Sequence, residues 1–341
     1  MASQGRDLAF DLKRIEGYRN FCNKLWNATR FVLGHVEDPT ELDGPVRETP
    51  ADRWIRSKSR HLIDTAHRSI ANYRFDLYAN AVYEFAWHEY CDWYVELTKP
   101  VLFDAANQPK AARAAKRTLL EVLELLLRAA HPIVPFITET LWLRIAPLLG
   151  SPGNTIMHQP FPRSDEQPKD VDAEDTVEWL KAVVTAVRNV RGELNVPPRR
   201  TIDLLLQAGG AEDRRRLDEC ESLLCRLARV EAVRWLDDNA KPPPVAVQVI
   251  ASGNADEPSR TALKAMVPMA DLIDADAERA RLNKAIDTAE KDLRRVEGKL
   301  ANENFVAKAP TAVVAKERNK HDRLLGELGA LKDQLSRLDG Q

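Results

Sequence analysis

Apolar residues recur at helical spacing along the first part of the chain, from about Asp11 to Leu149. Proline-containing dipeptides interrupt the pattern at positions 38–39, 44–45, 49–50, 99–100, 108–109 and 131–132. The pattern therefore predicts a bundle of about five helices. The sequence predicts one helix start directly. Thr49 can cap a helix, Pro50 suits the first helical position, and Asp52 lies near the positive end of the helix dipole.

A proline-rich and acidic stretch from Gly150 to Asp175 predicts a linker or a surface crossing. It precedes a helix whose apolar face is made of Val177, Leu180, Val184, Val187 and Val190. Short runs rich in Val, Ile and Leu then occupy 202–206, 233–236, 245–251 and 265–272. Because Pro, Gly and Asn separate these runs, we predict four strands, and with 213–229 as a second helix they make a small α+β domain.

The last part of the chain has a heptad pattern on two segments. Its apolar positions step by four and three, at Leu282, Ile286, Ala289, Leu293, Val296 and Leu300, and again at Leu324, Leu328, Leu331, Leu335 and Leu338. Pro310 separates the segments, which predicts an antiparallel coiled-coil hairpin. The predicted fold is thus mainly α: a helical bundle over 1–155, a linker and small α+β domain over 156–275, and a coiled-coil arm over 276–341.

Composition gives no global sign of a nucleic-acid partner, because 50 Lys and Arg stand against 52 Asp and Glu in 341 residues. No apolar run approaches the roughly 20 residues that span a bilayer, and the N-terminus has no apolar secretory core. We therefore expect a cytoplasmic protein without a membrane span. The four cysteines contain no CxxC pair, which predicts reduced thiols rather than a zinc site or disulfides.

Motifs for catalysis are absent from the sequence, which has no P-loop, GxGxxG, GxSxG or HExxH. His88, Glu89, Cys91 and Asp92 crowd one helix, but they lack good metal ligands four residues apart, and their aromatic neighbours favour helix packing. The run from Arg56 to Arg60 lies within a helical period, which favours a solvated helix face over a phosphate-binding loop.

The first helix has a polar face that needs an explanation. Beside a core stripe of Tyr18, Phe21, Cys22, Leu25, Thr29, Val32 and Leu33, this face carries Arg19, Asn20, Asn23, Lys24, Asn27 and Arg30. Asn costs helix stability relative to Ala, and its amide both donates and accepts hydrogen bonds, as a base edge requires. Alternatively, the amides satisfy backbone groups within the bundle, and the residues alone leave both interpretations open.

Two further basic regions are candidates for RNA contact. Arg188, Arg191, Arg199 and Arg200 surround Val196–Pro198 and suit a phosphate clamp, or else a solvated helix end with arginines near its dipole. From Arg281 onward the arm has 13 basic residues against 10 acidic, which is also typical of a merely soluble hairpin. Its bend combines apolar and cationic side chains that would suit stacking on nucleotides, namely Phe305, Val306, Lys308, Pro310 and Lys316.

Several blocks of the sequence resemble one enzyme family. Positions 17–31, GYRNFCNKLWNATRF, resemble the start of the anticodon-binding domain of class I valyl-tRNA synthetases. Positions 83–94 and 131–142 resemble further blocks, partly shared with the leucine and isoleucine enzymes. The stretch 304–318, with NFVAKAP, is similar to the C-terminal coiled coil of the valine family, whereas the isoleucine family would end in a cysteine-rich zinc module that the cysteine spacing excludes.

The resemblance covers nearly the whole chain and implies roles for its parts. The nucleotide-binding core, with ATP and Mg, and the editing domain would precede Gly5, so the chain would have no cofactor and no catalytic residues of its own. The bundle would receive the anticodon at Arg19, Asn20, Asn23, Lys24, Asn27 and Arg30. Arg188, Arg191, Arg199 and Arg200 would support the RNA backbone. The arm would contact the tRNA elbow through Arg294, Lys299, Phe305, Lys308, Lys316 and Arg318.

The resemblance thus implies the tRNA-binding part of an enzyme of this family, inactive by itself, whose partners are tRNA(Val) and the catalytic core of the same enzyme. We expect a monomer and no membrane partner. One rival is a coiled-coil interaction protein that self-associates or docks a protein without any RNA role. Another is a stand-alone tRNA chaperone, or a chain paired with a separately encoded catalytic subunit.

Overall fold

The computed structural model describes residues 12–151, 153–242, 245–250, 262–268 and 275–301, and single positions between 317 and 332. This part of the chain is mainly helical with one small sheet, as the sequence predicts. It forms two compact units. The first comprises Met1–Val190, Pro198–Ala240 and Val247–Met266, and the second comprises Arg191–Pro197, Lys241–Ala246 and Val267–Gln341. None of the described helices has the length and apolar content needed to cross a membrane.

The bundle in the first unit begins with α1 (Leu12–Leu33) and α2 (Pro50–Ala71), and ends with α5 (Pro109–Ala130) and α6 (Pro135–Ile145). Between them, α3 (Phe75–Glu84), a π-helical segment (Phe85–Tyr94) and α4 (Val95–Phe103) follow one another without a break. The described bundle therefore has five continuous helical stretches, as predicted. The break predicted at Pro100 is wrong, because this buried proline lies inside α4. Proline has no N–H group to donate within the helix, and α4 ends three residues later, at Phe103.

The centre of the bundle is α5, whose leucines face the core on several sides. Leu119, Leu120, Leu123, Leu126 and Leu127 are completely buried. Burial of each such side chain contributes about 1.5–3 kcal/mol. Large side chains from α2, the π-helical segment and α6 complete the core, among them Trp54, Ile63, Tyr90, Tyr94 and Trp142. The core therefore holds the helices of the bundle in fixed positions.

The predicted start of α2 is confirmed. The backbone N–H of Thr49 donates to Oδ2 of Asp52 (2.8 Å), and the N–H of Asp52 donates to Oγ1 of Thr49 (3.3 Å), which is a reciprocal capping box around Pro50. Asp52 is fully buried and also accepts a hydrogen bond from the hydroxyl of Tyr94 (2.6 Å). Burial raises the pKa of Asp52, and the hydrogen bonds from Tyr94 and Thr49 oppose this shift.

A Tyr94→Phe variant is expected to lower the free energy of unfolding by about 1–3 kcal/mol, because it removes a donor from the buried Asp52 carboxylate. Urea denaturation followed by circular dichroism measures the change. Tyr18→Phe is the matched control, since Tyr18 is 52% exposed, and it should change stability by less than about 0.5 kcal/mol. Equal stability of the two variants would contradict the prediction.

The α+β part consists of α7 (Val171–Glu193), β1 (Ile202–Gln207), α8 (Ala211–Ala228), β2 (Val230–Leu236), β3 (Val245–Ile250) and β4 (Leu263–Pro268). The sheet order is β2-β1-β4-β3; β1 is parallel to β2 and antiparallel to β4. All four predicted strands are confirmed with shifted ends, and position 251 and positions 269–272 lie outside the described residues. The predicted apolar face of α7 is buried at Val177, Leu180, Val184, Val187 and Val190.

Acidic residues at the end of the linker and in the first turns of α7 lie along α2 and pair with its basic and hydroxyl side chains. Arg53 pairs with Asp170 (3.0 Å), Lys58 pairs with Glu178 (3.2 Å), and Ser57 donates to Glu174. The expectation of a solvated face over 56–60 is therefore wrong, since Ser57 and Ser59 are fully buried. The reason is a set of acidic partners more than 100 positions away in the sequence.

The second unit contains α9 (Ala275–Leu300). Leu293 and Val296 pack against Leu324, with Leu300 and Leu328 beside them. Ion pairs join Glu290 to Lys332 (2.9 Å), Glu297 to His321 (3.7 Å) and Lys299 to Glu317 (2.9 Å). Later positions of α9 thus meet earlier positions of the following segment, so the two segments run in opposite directions. The predicted bend, with Phe305, Lys308, Pro310 and Lys316, lies outside the described residues, as does Arg318.

Candidate nucleic-acid interface

The polar face of α1 is open to solvent. Arg19, Asn20, Asn23, Asn27 and Arg30 are all exposed. Within the described part of the chain, none of the three asparagine amides forms a hydrogen bond to another protein group, in contrast to Thr29 on the buried side, which donates to the carbonyl of Leu25 (3.0 Å). The structure therefore gives no support to the alternative in which these amides satisfy backbone groups. They are available to a partner.

An exposed tryptophan belongs to the same face. Trp26 is 44% exposed, and it lies three residues after Asn23 and four before Arg30, so the three side chains are neighbours on the helix surface. The sequence interpretation missed Trp26, although its position outside the core stripe was the available signal. Tyr18 was expected in the core and is instead 52% exposed, because the first turns of α1, from Glu16 to Asn20, are exposed on all sides.

Lys24 differs from its neighbours because the protein itself engages its charge. Its Nζ forms an ion pair with Asp92 and lies 4.0 Å from the centre of the Trp87 ring. Trp87 stacks on Tyr83, and Tyr83 stacks on Phe21, each with ring centres 5.5 Å apart. This column fixes α1 against the π-helical segment and holds its polar face in position.

An apolar cleft of about 360 Å³ lies next to this aromatic column. It is lined by Tyr18, Phe21, Cys22, Ala79, Val82, Tyr83, Ile133 and Val134. The cleft therefore joins the first turns of α1 to α3 and to the turn between α5 and α6.

The polar residues near Asp92 pair with one another. His88 Nδ1 lies 3.3 Å from Asp92, and Glu89 pairs with Lys181 of α7 (3.1 Å). Burial raises the pKa of Cys91 to about 12, so its thiol is protonated at neutral pH. Among the described residues, no group of three or more His, Cys, Asp or Glu side chains is arranged to hold a metal ion. These side chains act in helix packing.

The second basic region is divided by burial. Arg188, Arg199 and Arg200 are exposed, whereas Arg191 is only 9% exposed and donates from Nη2 to the carbonyl of Pro197 (2.9 Å). Arg191 therefore stabilises the turn at Val196–Pro198, in contrast to the expected clamp of four solvent-facing arginines. A buried guanidinium needs hydrogen-bond acceptors, and the carbonyl of Pro197 supplies one.

In the arm, the described candidates are Arg294 and Lys299, and both are exposed. Arg294 lies 3.8 Å from Glu290 on the same helix, and Lys299 pairs with Glu317. Exposed pairs of this kind contribute little to stability, so both cations could exchange their partners for a phosphate at small cost.

Two family models match the chain. The family described as "Anticodon-binding domain of tRNA ligase" matches residues 52–206, which include most of α2, all of α3 to α7 and most of β1. The family described as "Valyl tRNA synthetase tRNA binding arm" matches residues 274–339, which include α9 and the segment that pairs with it.

Relatives over the full chain are valine–tRNA ligases. The protein of Xylella fastidiosa (strain M12) is 44% identical over an alignment of 355 positions, which covers 99% of this chain and 35% of that protein. The protein of Xanthomonas campestris pv. campestris (strain B100) is 45% identical over an alignment of 344 positions, again 99% of this chain and 35% of the relative. The chain thus spans about a third of the length of these relatives. Together, the two family matches and these identities show that the chain belongs to the valyl-tRNA synthetase family and corresponds to the C-terminal region of its bacterial members.

Proposed function

We propose that the chain is the tRNA-binding part of a valine–tRNA ligase. The observation that carries the proposal is that one chain matches both an anticodon-binding domain and a tRNA-binding arm. Neither match favours the rivals, an interaction protein without an RNA role or a stand-alone tRNA chaperone. Valine activation, with ATP and Mg, belongs to the catalytic core of the same enzyme, which acts in the cytoplasm.

In this proposal the polar face of α1 reads the anticodon of tRNA(Val). RNA-binding proteins recognise sequence mainly at unpaired loop bases, through hydrogen bonds to base edges and stacking on aromatic rings. The free amides of Asn20, Asn23 and Asn27 supply both donors and acceptors, and Trp26 supplies a ring on the same face. Arg19 and Arg30 would contact phosphates at either end of this face.

The arm in this proposal is an antiparallel coiled-coil hairpin that contacts the tRNA elbow. Support comes from the packing of Leu293 and Val296 on Leu324, and from the ion pair between Glu290 and Lys332 (2.9 Å). The contacts would be made by Arg294, Lys299, Phe305, Lys308, Lys316 and Arg318. The bundle, the α+β part and the arm would then act as three RNA-facing parts of one monomeric chain.

The isolated chain is expected to bind a tRNA(Val) transcript at least about tenfold more tightly than a tRNA with another anticodon, and to lose affinity as salt rises because phosphate contacts release counterions. Fluorescence anisotropy at two salt concentrations measures both effects. Absence of a preference for tRNA(Val) would count against the proposal, and so would valine-dependent ATP–pyrophosphate exchange by the chain. A dimer in light scattering that is lost when 281–341 are deleted, without RNA affinity, would favour the interaction protein.

A further inference from the structure

The C-terminal end of α8 is surrounded by exposed arginines from three parts of the first unit. Arg188 of α7 donates from Nη2 to the carbonyl of Leu227 (3.2 Å), in the last turn of α8. Arg226 and Arg229 lie on either side of Leu227. The N–H of Ile202 donates to the carbonyl of Arg229 (3.2 Å), which brings the loop that carries Arg199 to the same end of the helix. The α8 arginine cluster consists of these four residues: Arg188, Arg199, Arg226 and Arg229.

Aromatic rings of the bundle hold two of these guanidinium groups. Arg188 lies 5.6 Å from the centre of the Trp93 ring, and Arg226 lies 5.6 Å from the centre of the Phe103 ring. Phe103 is itself 63% exposed, so it offers apolar surface beside the cations. Guanidinium groups held against rings lose less conformational freedom when they bind a further group. The cluster is therefore partly preorganised.

Arg229 occupies a position at which helices usually place glycine. It ends α8 with φ +53°, a left-handed conformation that a residue with a Cβ adopts at some cost. Glycine would satisfy the helix end at this position without strain. The arginine side chain is thus not required by the helix termination.

The protein balances only part of the positive charge of the cluster. Among the residues that the structure describes, none of the four forms an ion pair with a carboxylate, whereas Arg53, Arg56, Arg74 and Arg215 all do. Hydrogen bonds from Gln108 and Asn107, and then the charge of Arg226, lower the pKa of Asp104, so this carboxylate balances part of the charge of Arg226 without forming an ion pair with it. The partial negative charge at the end of α8 is about half an elementary charge, too little to balance four arginines.

We propose that the α8 arginine cluster binds the sugar–phosphate backbone of the tRNA, with Phe103 packed at its edge. The inference deepens the proposed function and rests on it. Guanidinium groups bind phosphate oxygens in a bidentate manner, and such contacts position a nucleic acid without reading its sequence. This contact would therefore be independent of the anticodon, unlike that of α1.

The test is an Arg226→Gln/Arg229→Gln variant of the 341-residue chain, with fluorescence anisotropy on tRNA(Val) and on the same tRNA with an altered anticodon. The dissociation constant is expected to rise about tenfold for both RNAs, and the slope of log K against log salt to fall by about 1.5, since two phosphate contacts are lost. Arg226→Lys/Arg229→Lys should restore the salt dependence, because the charges return, but only part of the affinity, because an ammonium group cannot bind phosphate in a bidentate manner.

Arg214→Gln is the matched control, because Arg214 is an exposed arginine without an acidic partner among the described residues, packed 4.5 Å from the Trp235 ring. It lies about 18 Å from Arg226 along the axis of α8, and its loss should change the affinity less than about twofold. If the double variant fails to fold, as judged by circular dichroism, Arg199→Gln tests the same surface from another segment and should cost about threefold.

The possible results distinguish a failure of this inference from a failure of the proposed function. A chain that binds tRNA(Val) with unchanged affinity after the cluster substitutions would overturn the inference and leave the proposed function standing, and the cluster would then suit an acidic protein surface. A chain that does not bind tRNA at all would overturn both. A loss that depends on the anticodon would also contradict the inference, because backbone contacts carry no sequence information.

Discussion

An Asn23→Ala/Asn27→Ala variant is expected to lose at least about 30-fold of its preference for the valine anticodon over an altered one, because each well-placed amide contributes about 1–3 kcal/mol of discrimination between bases and the two together at least about 2 kcal/mol. Both side chains are exposed on α1 and make no hydrogen bond to the described protein groups. Alanine is also the better helix former, so α1 should remain intact. Any loss of discrimination then reports on the amides themselves.

The matched control is Asn189→Ala, an exposed asparagine of α7 that lies on a different helix. It should leave the preference between anticodons unchanged. Lys308→Ala at the predicted tip of the arm should weaken binding to all tRNAs about uniformly. Fluorescence anisotropy with tRNA(Val) and an anticodon variant measures these effects, and an equal loss for both RNAs with the asparagine variant would exclude anticodon reading by this face.

A Glu124→Ala variant is expected to lower the free energy of unfolding of the first unit by about 3–5 kcal/mol, the cost of leaving a buried charge without its partner. Glu124 is only 8% exposed, and both of its carboxylate oxygens accept from Nε of Arg128 at 2.9 Å. Oε1 also accepts from the indole N–H of Trp142 (3.0 Å), a residue that is completely buried. Removal of the carboxylate therefore leaves the buried indole N–H of Trp142 and the part-buried Nε of Arg128 without this acceptor.

Two further variants define the origin of this effect. Glu124→Gln keeps an oxygen acceptor for Trp142 but loses the charge that faces Arg128, so about 1–3 kcal/mol should be lost. Glu166→Ala removes an exposed carboxylate and should change the stability by less than about 0.5 kcal/mol. Urea denaturation followed by circular dichroism measures all three. A Glu124→Ala variant as stable as Glu166→Ala would show that the network contributes nothing.

Features that depend on neighbouring residues could be predicted from the sequence. The cap at Thr49 and Pro50 was predictable because a proline fixes its own φ and the cap acts within three residues. The buried face of α7 was predictable because its valines and leucine repeat with the helical period. The resemblance to valyl-tRNA synthetases likewise rested on short sequence motifs, and the family matches agree with it.

The surface available to RNA depended on contacts between distant residues. Arg53 and Asp170 are 117 positions apart, and their pairing turns a basic stretch of α2 into part of an internal junction. In the sequence, Arg191 could not be distinguished from the other arginines of its region. In the structure its side chain is buried and donates a hydrogen bond to the carbonyl of Pro197.

Helices, strands and family could thus be read from the amino-acid sequence, because backbone preference and side-chain periodicity act over a few residues. The sequence does not reveal which cations remain free of acidic partners. The interaction of two charges depends on their distance in space and on burial, and neither follows from spacing along the chain. The fold alone brings Arg188 and Arg226 to one end of α8 and leaves them without an ion pair among the described residues, while it neutralises Arg56 with Glu121.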